Sequence, residues 1–273
     1  MVAWQTLSPE ARERAYSPSS AAPGFMASIA RYRQASDAAR AAYRHEILTT
    51  GDGQDCVALF PGERPDAPLH VFIHGGYWQE LGWEDSLFAA PAFLAAGIAF
   101  AAIGYTLAPA AGIDQIMRQC HRALDRLAAI APTGRTTLSG HSAGAHLAAM
   151  LATERPVAGV ALVSGIYDLA PLPGTSINTA LGLTAVAAQR LSPAHRPPPR
   201  ACPAVIAWAA GDTAEFRRQS RDFVAHWRGG PNPVQAIEVP GRDHFDLVLD
   251  LAAPSAALGR AALGLAGRAP PPR

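Results

Sequence analysis

Ser142 lies in a short stretch of sequence that could turn its hydroxyl into a nucleophile. Gly140, Ser142 and Gly144 fit the pattern G-x-S-x-G, between the strand-like TTLS and the helix-like AGAHLAAML. In this context the pattern predicts a sharp strand-to-helix turn with a strained serine, which only small neighbours permit. The chemistry that follows is acyl transfer through a covalent serine intermediate. An ordinary Gly/Ser turn is the alternative reading.

Two consecutive glycines provide a second element of the same chemistry. Gly75 and Gly76 stand in HGGYW, directly after the strand-like LHVFI. Acyl transfer creates a tetrahedral oxyanion, which needs hydrogen-bond donors already in place. An H-G-G loop after the third strand supplies such donors together with the N–H that follows the nucleophile. We therefore expect an oxyanion hole built from the backbone of Gly75, Gly76 and Ala143, with a plain turn as the alternative.

The general base should be a histidine near the carboxyl end of the chain. In folds that carry G-x-S-x-G at a strand–helix turn, the chain order is serine, acid, histidine. His244, in GRDHFDLV, follows the last strand-like run and precedes the last helical one. His226 lies inside a helical pattern and His195 in a proline-rich loop, so both fit less well. His244 is the predicted base.

The acid that orients this histidine should follow the strand-like PAVIAWAAG. Asp212 stands there, in GDTAEF, with Glu215 as a nearby rival and Asp168 as a weaker one after the preceding strand. A buried carboxylate in this position fixes the tautomer of the histidine and stabilises its charged form. An N-cap for the following helix is the alternative role for Asp212.

The elements that must position these residues are buried strands alternating with helices. Continuous apolar runs, rather than alternating ones, are what parallel strands covered on both faces require. Such runs occur at 69–74, 97–103, 157–165 and 203–211, after a hairpin at 45–50 and 56–60 and before an alternating strand at 234–239. A helix is predicted over 83–96. The pattern predicts an α/β fold of the α/β-hydrolase type, with a mostly parallel sheet of about eight strands and helices on both faces.

Two segments lie outside this alternation. Residues 1–44 are rich in Ala and Arg and are predicted to form a helical lead-in. Residues 168–200 are rich in Pro, Ser and Thr and are predicted to be an insertion over the active site, where pocket walls are common. No linker divides the chain, so residues 1–273 are expected to form a single domain.

Composition restricts the classes of function. Of 273 residues, 49% are hydrophobic and 16% charged, so a large core can form and disorder is excluded. The formal net charge is +1 and the sequence has no basic run, so nothing indicates a nucleic-acid or membrane partner. We therefore expect a small-molecule substrate, with a homo-oligomer as a possible assembly. No metal-ligand spacing, phosphate loop or cofactor motif is present. The three cysteines and the N-terminal MVAWQTLSPEARERAY, which lacks a secretory pattern, favour a cytoplasmic protein.

The segments HGGYW, GHSAGAHLAAML, GDTAEFRRQSRDF and DHFD together resemble the kynurenine formamidase, or arylformamidase, branch of the α/β-hydrolases. The run D-x-x-E-F-x-x-Q-S is the more specific part, and the resemblance extends from about Tyr16 to Leu249. It implies Ser142, Asp212 and His244 as catalytic triad. The reaction it implies is hydrolysis of N-formyl-L-kynurenine to kynurenine and formate.

Three functions are open at this point. The first is an arylformamidase, the second a carboxylesterase of broad specificity on small acyl esters, and the third a catalytically inactive binding protein. The intact motifs argue against the third. Aromatic side chains near the motifs are expected to line a substrate pocket, with core packing as their alternative role; they are Tyr77, Trp78, Tyr167 and Phe216.

Overall fold

The computed structural model describes residues 4–51, 54–130, 135–199 and 201–267. Residues 1–3 of the predicted lead-in and Arg200 of the predicted insertion lie outside the described residues. Eight strands form one sheet: β1 (Glu46–Thr49), β2 (Cys56–Phe60), β3 (Leu69–Ile73), β4 (Ala99–Ile103), β5 (Thr136–His141), β6 (Gly159–Val163), β7 (Ala204–Ala209) and β8 (Val234–Val239). Their order is β1-β2-β4-β3-β5-β6-β7-β8.

The sheet is parallel except at one end. β2 runs antiparallel to β1 and β4, whereas every other neighbouring pair is parallel. All residues of β3, β4, β6 and β7 are buried, as their continuous apolar sequences predict. The edge strand β8 is half-exposed. The predicted fold class and the predicted hairpin of β1 and β2 are confirmed.

Helices cover both faces of this sheet. They are α1 (Pro9–Ala15), α2 (Phe25–Ala42), α3 (Ala90–Ala95), α4 (Ile113–Ala128), α5 (Ala143–Glu154), α6 (Asn178–Leu181), α7 (Ala185–Arg190), α8 (Ala214–Arg228) and α9 (Ala257–Ala266). Successive side chains of a strand point to opposite faces. Val71 and Ile73 therefore join the core under α4, α5 and α8, while Phe72 joins the core under α2, α3 and α9.

The helix predicted over residues 83–96 is wrong as one element. The structure has a 3₁₀ turn at Trp83–Asp85 and then α3, which begins with Pro91 in its first turn. Proline has no N–H to donate and is compatible with a helix only at its start, so a new helix begins there. Between the two pieces, the backbone N–H of Leu87 donates to Ser36 Oγ of α2.

Residues 190 and 191 of the predicted insertion contact α4 and α5. Arg190 makes a bidentate ion pair with Asp114 of α4, and His146 of α5 donates from Nε2 to the carbonyl of Leu191. In the part of the chain that the structure describes, no helix has the length and apolar character needed to cross a membrane.

Candidate active site

Ser142 occupies the sharp turn between β5 and α5. Its backbone has φ 55° and ψ −117°, a strained conformation for a non-glycine residue. The turn is possible because the residues two positions before and after Ser142 are glycines: a Cβ on Gly144 would overlap the Ile73 carbonyl oxygen, and one on Gly140 would overlap the backbone of Gly144. The Ser142 N–H donates to the carbonyl of Val163 on β6. The sequence-predicted turn is thus present at the carboxyl edge of the sheet.

The glycine loop after β3 lies beside this turn. Gly76 has φ +88°, and a Cβ on Gly75 would lie 2.8 Å from the carbonyl oxygen of His141. The backbone N–H groups of Gly75, Gly76 and Ala143 donate to no described residue. At Ala143 this follows from its position as first residue of α5, where no intrahelical acceptor exists. Three free donors therefore remain around the Ser142 turn, as an oxyanion site requires.

Asp212 and His244 meet at the ends of β7 and β8. His244 Nδ1 donates to Asp212 Oδ1 over 2.6 Å, and both side chains are buried. The other carboxylate oxygen accepts from Ser164 Oγ at 2.7 Å and from the Ala209 N–H at 2.9 Å. Burial acts to raise the pKa of Asp212, but the pairing with His244 and these hydrogen bonds outweigh it, and the net pKa is lowered. Asp212 is therefore ionised at neutral pH.

The rival acids and bases are engaged elsewhere. Glu215 accepts from the Tyr16 hydroxyl at 2.7 Å and pairs with Arg218. Asp168 lies 3.2 Å from His195 in the half-exposed insertion. His226 stacks on Phe223 of its own helix. The structure brings neither of the rival acids to His244.

Ser142 and His244 line one cavity of about 560 Å³. The Ser142 hydroxyl makes no hydrogen bond to a described residue. It therefore has no hydrogen bond to His244, with which it shares the cavity. The volume lies within the range of small-molecule sites. The other walls come from the lead-in, the glycine loop, the insertion and the loop of His244, among them Ser17, Phe25, Met26, Tyr32, Tyr77, Gln79, Glu80, Ser176, Ile177 and Phe245.

Three of the four aromatic residues predicted for the pocket are core residues instead. Trp78 is fully buried with its ring edge-on to His146, and Tyr167 stacks flat on Phe223 at 3.9 Å. Phe216 packs edge-on against the His244 ring at 4.7 Å and does not line the cavity. Tyr77 does line the cavity. The Trp78 ring meets the Tyr77 ring edge-on at 6.0 Å, and of the two only Tyr77 lines the cavity.

The lead-in contributes a cavity wall that sequence reasoning missed. Phe25, Met26, Ile29 and Tyr32 of α2 line the cavity, although nothing in their spacing marks a binding function. In this region the sequence offered only the extent of the family resemblance, which begins at about Tyr16. Burial raises the pKa of the Tyr32 phenol, which remains a neutral donor and bonds to the Phe245 carbonyl next to the site.

Hydrogen bonds fix the lead-in to three parts of the site. The backbone carbonyl of Tyr16 accepts from the Tyr77 hydroxyl at 2.5 Å, and the hydroxyl of Tyr16 donates to Glu215. Thr213, next to Asp212, donates from Oγ1 to the Ala15 carbonyl at 2.6 Å. Ala15 and Tyr16 therefore join the glycine loop to the loop that carries Asp212.

The run D-x-x-E-F-x-x-Q-S has a structural explanation in these contacts. Glu215 holds Tyr16 of the lead-in, and Phe216 supports His244. Gln219 accepts from the N–H groups of Tyr167 and Asp168 and donates to the Asp168 carbonyl, which fixes the start of the insertion. One face of α8 thus anchors both chain segments that wall the cavity.

Within the described residues, no cluster of three or more His, Cys, Asp or Glu side chains could hold a metal ion.

Comparison with known proteins places the chain among hydrolases. A family model described as BD-FAE matches residues 57–164. The chain is 31% identical to a kynurenine formamidase of Salmo salar over 276 aligned residues, covering 92% of this chain and 94% of the relative. The chain belongs to the kynurenine formamidase family. This membership confirms the family resemblance that the segments HGGYW, GHSAG and GDTAEF indicated. The protein is therefore a hydrolase.

Solved structures agree with the kynurenine formamidase family's fold. A crystal structure of a proposed thioesterase from Silicibacter sp. TM1040 superposes with a TM-score of 0.83 at 27% identity, covering 93% of this chain and 98% of that one. An esterase of Pyrobaculum calidifontis superposes with a TM-score of 0.71 at 18% identity, over 95% and 97% of the chains. The second likeness concerns the fold alone, and both are to α/β-hydrolases.

Proposed function

We propose that this protein hydrolyses small aryl formamides such as N-formyl-L-kynurenine through a formyl-enzyme on Ser142. The observation that carries the proposal is that Ser142 lines the same cavity as a histidine whose Nδ1 is bound to a buried carboxylate. The family's relatives are named for a formamidase reaction, which supports the choice of substrate. The cavity volume of about 560 Å³ suits a single aromatic amino acid derivative.

The proposed catalytic triad is Ser142, Asp212 and His244. Because His244 Nδ1 donates to Asp212, its Nε2 carries the free lone pair and can take the Ser142 proton. The serine oxygen then attacks the formyl carbonyl. Asp212 stabilises the imidazolium that forms and holds its ring in place.

The proposed oxyanion hole consists of the free N–H groups of Gly75, Gly76 and Ala143. They would stabilise the negative charge that develops on the formyl oxygen. His244 then protonates the leaving aryl amine, and water repeats the sequence on the formyl-enzyme to release formate. No step needs a cofactor or a metal.

Ester hydrolysis at the same site is the second candidate function. The structure that superposes at 27% identity is that of a proposed thioesterase, and the acyl-enzyme route is common to thioesters, esters and amides. A preference between the substrate classes depends on the leaving group, which the lead-in and Tyr77 would contact.

Rates on two substrates and one substitution test the proposal. We expect wild type to show a higher kcat/KM on N-formyl-L-kynurenine than on p-nitrophenyl acetate, and Ser142→Ala to lower both by at least about 10³-fold. The exposed Ser255→Ala is the matched control and should behave as wild type. A clear preference for the ester would retire the formamidase function, and undiminished activity of Ser142→Ala would remove the nucleophile.

In cells, a substrate of this kind would be supplied by an oxidative opening of the tryptophan indole ring, so we propose a role in tryptophan catabolism. A cytoplasmic location and a small-molecule partner remain part of this proposal. The small-molecule partner accords with the cavity of about 560 Å³.

A further inference from the structure

His141, the residue before Ser142, lies between the two loops that carry the remaining site residues. It ends β5 and is 4% exposed. Its Nε2 lies 2.7 Å from the backbone carbonyl oxygen of His244. A carbonyl oxygen can only accept, so Nε2 carries the hydrogen and donates it. The two imidazole rings are 4.9 Å apart at a tilt of 50°.

The opposite edge of the same ring faces the glycine loop. A Cβ on Gly75 would lie 3.2 Å from His141 Nδ1 and 3.2 Å from Ser142 Cβ. The imidazole therefore fills the space between the loop of Gly75 and the loop of His244. Burial lowers the pKa of His141 to about 3, so the ring is neutral at the pH where a hydrolase works. It does not compete with His244 for the serine proton.

The two ends of His244 are held by different residues. Asp212 binds Nδ1 of the side chain, while His141 binds the backbone carbonyl. Within the described residues, His141 provides the hydrogen bond that this carbonyl accepts. The loop around His244 has no regular secondary structure, so its position depends on such individual contacts. A shift of the backbone would move Nε2 away from Ser142 even with Asp212 in place.

We propose that His141 is a positioning residue whose Nε2–H holds the His244 loop in place at the cavity that His244 shares with Ser142. The inference rests on the proposed role of His244 as general base. The His141 ring reaches the backbone of His244, although His141 directly precedes Ser142 in the chain.

Two near-matched substitutions separate this role from simple packing. In His141→Gln the carboxamide nitrogen can reach the place of Nε2 and still donate to the His244 carbonyl. In His141→Asn the shorter side chain places its amide near the position of Nδ1 and cannot reach. His141→Leu removes the donor but keeps the bulk. Because a small misplacement of a catalytic group has a large effect on rate, we expect kcat to fall at least about tenfold in the Asn and Leu variants.

The experiment measures kcat and KM on p-nitrophenyl acetate and on N-formyl-L-kynurenine, together with the melting temperature of each variant. The expected result is a loss in kcat for Asn and Leu on both substrates, with Gln within about threefold of wild type. Equal kcat for Gln and Asn, or a Leu variant as fast as wild type, overturns the inference. If Leu does not fold, the Gln–Asn pair decides alone. Failure of the formamidase proposal would appear separately, as a wild type without activity on the formamide.

Discussion

The Asp212 carboxylate shows how individual hydrogen bonds set the chemistry of one residue. One oxygen serves His244, and the other accepts from Ser164 Oγ and the Ala209 N–H. Ser164 follows β6 with φ 45°, an uncommon backbone conformation for serine. The strained backbone places its hydroxyl on the carboxylate. Ser164 therefore has a part in keeping Asp212 ionised.

Ser164→Ala is expected to lower kcat/KM by about tenfold, because a hydrogen bond to a charged group is lost. Without that bond the pKa of Asp212 rises, so its ionised form is lost at a higher pH than in wild type as the solution is acidified. The measurement is the pH profile of kcat/KM on an aryl ester.

Ser220→Ala is the matched control for this substitution. Ser220 is also fully buried, but its hydroxyl has no partner in the described structure. Its removal should leave the profile unchanged. Identical profiles for Ser164→Ala and wild type would show that Asp212 does not need this donor.

At this scale the sequence predicted the motif residues but not their supports. Ser142, Asp212 and His244 could be placed because chain order and strand–helix context restrict the choice. The contacts of Ser164 and His141 depend on β6 lying beside β5 and on the position of the His244 loop. No local pattern encodes them. Trp78, Tyr167 and Phe216 failed as pocket residues for the same reason.

Among the elements, the lead-in departs most from what its sequence suggests. Its Ala- and Arg-rich helices could be a solvent-exposed addition, yet α1 and α2 form one side of the cavity. Glu13 of α1 reaches across to the insertion and accepts from the Ser176 N–H at 2.8 Å and from its hydroxyl. This bridge connects two walls of the cavity directly.

Glu13→Ala is expected to raise KM for N-formyl-L-kynurenine several-fold, with a smaller effect on p-nitrophenyl acetate. The reason is that the walls next to the leaving group lose their mutual support, whereas the Ser142 centre is unchanged. Steady-state kinetics on both substrates checks it.

Glu10→Ala, on the same helix, is the control, since Glu10 is exposed and bonds only to Ser8 among its near neighbours. It should leave KM as in wild type. Equal KM for Glu13→Ala and Glu10→Ala would mean that the bridge does not shape the cavity.

The elements of the sheet were predictable and the lead-in's role was not. Continuous apolar runs predict buried strands, because a strand that is covered on both faces must carry apolar side chains on both. The docking of the lead-in depends on single polar contacts such as Tyr16 with Glu215, which are 199 positions apart in the chain. The prediction of one helix over 83–96 was wrong because the apolar pattern continues across the break that precedes Pro91.

For the whole molecule, four buried histidines link stability to pH. Burial lowers the pKa of His70 and His141 to about 3, and that of His74 and His146 to about 4. In the unfolded chain each would return to the ordinary value of 6.5. The unfolded state therefore binds protons first, and stability present above pH 6.5 is lost as the pH falls toward 3–4.

The free energy of unfolding should decline between pH 6 and 4 by up to ~1.4 kcal/mol per pH unit for each of these histidines. His70→Gln should remove the contribution of one histidine to this dependence of the free energy of unfolding on pH, whatever the substitution does to the stability at a single pH. Denaturant unfolding at several pH values measures it. His45→Gln is the control, because His45 is only half-buried at the surface, and its slope should match wild type. An unchanged slope in His70→Gln would mean that this ring is already reached by protons in the folded state.

The bridge between the first helices and the rest of the cavity has a consequence for synthesis on the ribosome. Glu13 and Tyr16 emerge early, but their partners Ser176 and Glu215 follow 163 and 199 residues later. Until then the apolar side of α2, with Met26 and Ile29, has no cavity to enclose. The nascent chain must carry this segment unpaired until its partners follow, and the cavity can close only after Ser176 and Glu215 have been made.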